Sequence, residues 1–258
     1  MTMWRAEALP CRRRSAPAAA LAGTLALLAG IAPATAGPVT AVGGFDHYAI
    51  AGGSTTDGIL GAVVFGAAGG DLTLAAVRFD DSDAGQGFSY TGGLGLPVAP
   101  MMRLRVTGTR FVGEQELRAW RVKVGPEFSL PGGRAMTVSY AHYRNHLGAR
   151  SNAGIAEAAT PLVPRLSGRA TASFASAPQG SPVFQGSVGL GWTVAPHVEL
   201  SGEGGVVNAE AGAAAPGSPG GGLLGGLPAV GGGGTGGTSG GARSTHGTLS
   251  LGVRVTLP

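Results

Sequence analysis

Cysteine is nearly missing from this chain, and the one present, Cys11, lies in a leader-like segment. The rest of the sequence therefore has no disulfide framework, no thiol nucleophile and no thiolate metal ligand. Charge is sparse, with Asp, Glu, Lys and Arg making up 12% of the residues, and aromatics reach only 6%. Beyond residue 36 no apolar run approaches the roughly 18–20 residues that a membrane-spanning helix needs. Helical periodicity is missing as well: apolar residues recur at every second position, and glycines interrupt nearly every run. So is a basic surplus. The chain holds 18 Lys+Arg and 14 Asp+Glu, but Arg5, Arg12, Arg13, Arg14 and Glu7 belong to the leader, which leaves 14 basic and 13 acidic residues. That balance gives no footprint for a nucleic-acid partner.

What is present starts with the leader. Its arginines form a basic n-region, and Pro17 to Ala36 follows without a charge, PAAALAGTLALLAGIAPATA. The segment closes on Ala34-Thr35-Ala36, a small-residue cleavage pattern. Residues 1–36 are expected to be a cleaved secretory signal peptide and 37–258 the mature domain. Cys11 precedes the apolar core, whereas a lipoprotein cysteine would follow it, so no lipid anchor is expected.

The mature part reads as alternating strands. In HGTLSLGVRVTLP, His246 to Pro258, the apolar side chains are Leu249, Leu251, Val253, Val255 and Leu257, with Thr248, Ser250, Gly252, Arg254 and Thr256 between them. Val183 to Val194 repeats the pattern, with Phe184, Val188, Leu190, Trp192 and Val194 on one face. The spacing predicts strands near 39–51, 57–66, 71–80, 87–96, 101–112, 116–128, 134–145, 151–160, 165–176, 183–195, 198–208 and 246–257. The stretch 151–160 has the weakest alternation, because Ser151, Asn152 and Glu157 blur it. In 71–80 the apolar phase changes between Leu74 and Val77, which predicts a β-bulge.

Connections alternate in kind. Tight Pro/Gly-type turns fall at Gly66–Gly70, Pro97–Pro100, Pro131–Gly133, Pro161–Pro164 and Ala195–His197. The others carry the polar and variable material, including Asp80, Asp81 and Asp83, and end with the glycine-rich run Ala209 to Thr245. That run, 209–245, is expected to be a mobile surface loop. No lysine follows its glycines in a strand–loop–helix frame, so it is not a phosphate-binding loop.

Strands of this length, two-faced, with short turns on one rim and long loops on the other, resemble bacterial outer-membrane β-barrel proteins. The resemblance covers essentially the whole mature chain, at the level of a broad class. It implies an all-β fold: a single antiparallel up-and-down transmembrane β-barrel of twelve strands, with ten as the alternative. It also implies a location in the outer membrane, contact with outer-membrane lipid, and assembly through barrel-assembly machinery that recognises the last strand. That signal commonly closes on an aromatic residue, where this chain reads Leu257-Pro258. The competing reading is a soluble secreted β-protein.

Candidate chemistry lies on the polar faces. Arg103 and Arg105 share a face with Thr107 and Thr109. Arg121 and Lys123 share one with Glu127, and Glu199 and Glu203 line another strand, while Arg254 sits on the last. These residues are expected to line the lumen. They could act as a charge-selective eyelet, or they could pair with one another and fill the interior. The functional expectation is a porin-like passive channel with a polar, partly basic lumen. The alternative is a structural or adhesion barrel acting through its loops. No enzyme is expected: His142 and His146 lie near acidic Asp80, Asp81 and Asp83 in barrel level, but His142 is in phase with Met136, Val138 and Tyr140, and no serine sits in a nucleophile motif. No cofactor or metal is expected, since the DDSD stretch lacks the spacing of a calcium loop.

Overall fold

A computed structural model describes residues 38–49, 55–67, 70–81, 85–113, 118–146, 148, 150–176, 183–210 and 243–257. The predicted signal peptide and most of the glycine-rich run lie outside the described residues. The elements are β1 (Val39–Ala49), β2 (Thr55–Ala67), β3 (Gly70–Asp81), β4 (Gly85–Ala99), β5 (Met102–Gly113), β6 (Arg118–Leu130), β7 (Arg134–Asn145), β8 (Arg150–Val163), β9 (Leu166–Ser176), β10 (Val183–Ala195), β11 (Val198–Glu210) and β12 (Arg243–Leu257). Each strand pairs antiparallel with its sequence neighbours, and β1 pairs with β12, so the sheet is one closed barrel of twelve strands. Closure leaves no edge with unpaired backbone N–H and C=O groups, which a hydrocarbon environment would not tolerate.

The predicted strand list matches the observed one in number and order, with ends that differ by at most three residues. β8 begins at Arg150 and runs to Val163, past the blurred stretch. β11 reaches Glu210 and β12 starts at Arg243, with these two residues paired in register. The tight turns share one rim. Ala99 pairs with Met102, Val163 with Leu166 and Ala195 with Val198, each leaving a two-residue turn. Gly132 and Gly133, at φ 78° and 74°, make the β6–β7 turn, a conformation that residues with a Cβ rarely adopt.

The expected bulge in β3 is absent. Its register with β2 and with β4 runs unbroken across Leu74 to Val77. The phase change is real but has another cause. Leu72 and Leu74 are exposed on the outer face, whereas Val77 and Phe79 are buried on the inner face. Inside, they join Val42, Leu60, Ala62, Phe111 and Ala119 in one apolar cluster. The register shifts that do occur lie beside tight turns, at Pro97/Ala99, Pro161/Val163 and Thr193/Ala195.

Elsewhere the barrel's polarity is inverted relative to a soluble protein. Val188 is 69% exposed, while Lys123 is 4% exposed. Leu94, Val138, Leu190, Leu251 and Val253 are also exposed on the outer face. Aromatic side chains gather on that face near the long-loop rim. Phe88 stacks on Tyr90 with ring centroids 6.3 Å apart, and Phe174 meets Phe184 edge-on at 4.9 Å. An apolar band bounded by aromatics is the surface that a bilayer solvates.

Candidate functional site: the inward ionic ladder

Side chains alternate strictly along a strand, so the ladder of cross-strand pairs sorts inward from outward residues. Thr91 pairs with Thr109, and Thr109 with Arg121. The Thr91 and Thr109 hydroxyls lie 2.9 Å apart and are buried, which places this row on the enclosed side. The same parity puts Arg103, Arg105, Lys123 and Glu127 on that side. Through β10 and β11 it also places Glu199, Glu203 and Arg254 there. Sequence reading missed Asp71, Glu157 and Arg169, which share the enclosed face. Asp71 and Arg169 were legible by phase with Thr73 and with Thr171 and Ser173. Glu157 was obscured because its strand alternates poorly.

These charges assemble into separate groups. Near the short-turn rim, Arg103 Nη1 donates to Asp71 Oδ2 at 3.0 Å, and Arg105 Nη1 lies 3.4 Å from Asp71 Oδ1. Arg105 Nε also donates to Glu127. Arg105, on β5, reaches Asp71, on β3, across β4. The three positions Asp71, Gly95 and Arg105 form one lateral row. Neighbouring strands lie about 4.8 Å apart, so the two charges must lean over whatever stands between them. A Cβ on Gly95 would lie 2.6 Å from the Asp71 carboxylate. Glycine here is the space the ion pair occupies.

Higher in the barrel, Lys123 Nζ on β6 donates to Glu157 Oε2 on β8 at 3.4 Å, both largely buried. They pass over β7, whose inward residues Ala141 and Ser139 are small and buried. Arg121 is buried one step above Lys123 on the same strand. On the opposite wall Arg254 Nη1 lies 3.9 Å from Glu199 Oε1, and Ser187 Oγ donates to Glu203 Oε1 at 2.5 Å. A Cβ on Gly191 would lie 2.8 Å from Glu199 Oε1, so glycine again leaves room for a charge. Around Arg169, Gly189, Gly191, Glu199 and Ser201 the wall is indented into a small cleft.

Two of the residues considered for rim chemistry, His142 and Asp80, have other partners; Asp83 and the side chain of Asp81 lie outside the described residues. His142 is on the outer face, its ring 5.4 Å from Trp120 and its Nδ1 2.8 Å from Asn152 Oδ1. Asp80 Oδ2 accepts from Gln86 at 3.3 Å. Among the described residues the His–Asp pair that forms is His47 with Asp57, at 2.7 Å, exposed on the outer face. Among the described residues no group of His, Cys, Asp and Glu is arranged to hold a metal ion.

No protein-family model matches the sequence, and no curated protein matches it. Solved structures do match its fold. A KdgM porin covers 84% of this chain and 99% of its own, with a TM-score of 0.56 at 9% identity. A NanC porin covers 85% and 100%, with a TM-score of 0.57 at 8% identity. An outer membrane channel from Pseudomonas putida F1 covers 88% and 100%, with a TM-score of 0.56 at 10% identity. The chain has the fold of bacterial outer-membrane β-barrels, and these similar structures are porins and channels.

Proposed function

We propose that this protein is a porin-like passive channel of the bacterial outer membrane, with a polar, partly basic lumen that passes small hydrophilic solutes. The observation that carries this reading is the inverted polarity of a closed sheet. Val188 is 69% exposed outside, while Lys123 and Arg121 are each 4% exposed inside. A soluble β-fold buries the first kind of residue and exposes the second. In this orientation the short-turn rim faces the periplasm, where both barrel termini lie, and β12 is the strand offered to the assembly machinery.

Pairing shapes the selectivity. Arg103 and Arg105 are matched by Asp71 and Glu127, Lys123 by Glu157, and Arg254 by Glu199. Such a wall presents local dipoles more than net charge, so the channel discriminates weakly between anions and cations. The test is planar-bilayer conductance of protein that first shows folded, heat-sensitive migration on SDS gels. Discrete conductance steps with a small reversal potential in a salt gradient are expected. Folded protein that inserts without conducting would overturn the channel reading and leave a structural barrel. Protein that shows no heat shift and fractionates as soluble would overturn the membrane reading itself.

A further inference from the structure

The outer face of the barrel is not uniform around its long-loop rim. One lateral row runs Tyr90, Arg110, Trp120, Arg144, Arg150 across β4 to β8. The row above it runs Arg78, Phe88, Val112, Arg118 across β3 to β6. Arg110, Arg118, Arg144 and Arg150 are all exposed. None of the four makes an ion pair with another described residue. Arg78 donates to Gln86 at 3.1 Å, and Gln86 to Asp80 at 3.3 Å. Glu114 and Glu116 belong to the β5–β6 connection, outside the described residues. On the other half of the same rim the charged positions are matched: Arg243 of β12 stands in register opposite Glu210 of β11, and His47 lies 2.7 Å from Asp57.

Arg144 and Arg150 face each other directly across β7 and β8. Like charges directly opposite on a sheet repel. A cation on the lipid-facing side is strongly unfavourable at mid-membrane and nearly neutral at the interface, and arginine stems reach outward along apolar surface toward the interface. The next row down holds Val122, His142 and Asn152, and below it the face turns apolar: Val124 on β6, Met136, Val138 and Tyr140 on β7. The arginines therefore stand where headgroups begin. Their forked donors match phosphate oxygens bidentately, and an anion between Arg144 and Arg150 removes their repulsion. Trp120 lies between Arg110 and Arg144 in the row and offers a flat amphipathic surface at headgroup level.

We propose that the outer face of β5–β8 at the long-loop rim is a binding site for lipid-borne phosphate of the outer leaflet. The site depends on the membrane orientation given above but not on conduction, so a silent channel would leave it standing.

The test uses the full barrel in detergent and three probes: diphosphoryl lipid A, its dephosphorylated form, and inorganic phosphate. Native mass spectrometry reads lipid retained on the protein. Arg144→Gln/Arg150→Gln is expected to weaken binding of the phosphorylated lipid about tenfold or more, with heat shift and conductance unchanged. Arg134→Gln, at the opposite rim, should bind as the parent does. Unchanged binding by the double variant overturns the site, and so does equal binding of the dephosphorylated lipid, which would indicate apolar contact alone. Displacement by inorganic phosphate at equal concentration overturns the lipid assignment in favour of a free-anion site. If the double variant does not fold, the salt response of the parent decides: retention that falls steeply with salt supports the site, and salt-insensitive retention overturns it.

Discussion

Asp71 on β3 and Arg105 on β5 meet across an intervening strand because the residue between them in the row is Gly95. Removing either the anion or the space should therefore have one result. In Asp71→Asn, Arg103 and Arg105 lose a shared counter-charge at the short-turn mouth. In Gly95→Ala, the new Cβ displaces the same carboxylate, which it would otherwise approach to 2.6 Å. Both variants are expected to shift the reversal potential toward anions by a factor of about 2–5 in permeability ratio. The double variant should add little to either single one. Bilayer measurements in a salt gradient check this, and full additivity would refute the shared cause.

Lys123 and Glu157 form a buried pair that is costly to break singly. Glu157→Gln leaves the Lys123 ammonium, with buried Arg121 close by on the same strand, without its anion. The expected loss is about 3–5 kcal/mol of stability for such a half-removed pair. Lys123→Met/Glu157→Met removes both charges of the pair and should recover part of that loss, but not all of it, because Glu157 also acts on buried Arg121. Urea titrations monitored by the heat-sensitive gel band would measure both.

Phe79 belongs to the inward apolar cluster and is 1% exposed, its ring lying over Gly87. An apolar mass on the lumen side narrows the path. Phe79→Ala is expected to destabilise the barrel by roughly 3 kcal/mol or more, as buried aromatic truncations do. The same variant should raise single-channel conductance by clearing the β2–β5 wall. Reduced stability with unchanged conductance would mean that solute passes on the glycine-lined opposite side.

Val188 tests the membrane itself. It sits mid-strand on the outer face of β10 and is 69% exposed. On a soluble protein, Val188→Arg would change stability by no more than about 0.5 kcal/mol. Facing lipid near mid-membrane, it should cost about 2–4 kcal/mol. Refolding yield into vesicles distinguishes the two.

Much of the architecture was legible along the chain. Trp192 and Leu190 outward with Gly189 and Gly191 inward is a local pattern of period two, and it survives without any knowledge of neighbours. The misreading in β3 shows the limit. Val77 and Phe79 looked out of phase only because apolar side chains were assigned to one face throughout. Their partners Leu60, Val42 and Phe111 come from other strands, and a sequence does not announce which strands will cover one another. The partnerships of Asp71 and Glu157 were hidden for a related reason: each acts with a group two strands away, Asp71 with Arg105 and Glu157 with Lys123.

By itself, then, the sequence determined the strand positions, the alternation of turns and loops, and the two-faced character of each wall, because these follow from backbone period and turn chemistry over a few residues. Tertiary structure alone decided that β1 closes on β12 with Val39 opposite Leu257, that Gly95 stands between Asp71 and Arg105, and that Arg144 confronts Arg150. Those relations depend on register between strands, and register is set by the simultaneous pairing of the whole closed sheet.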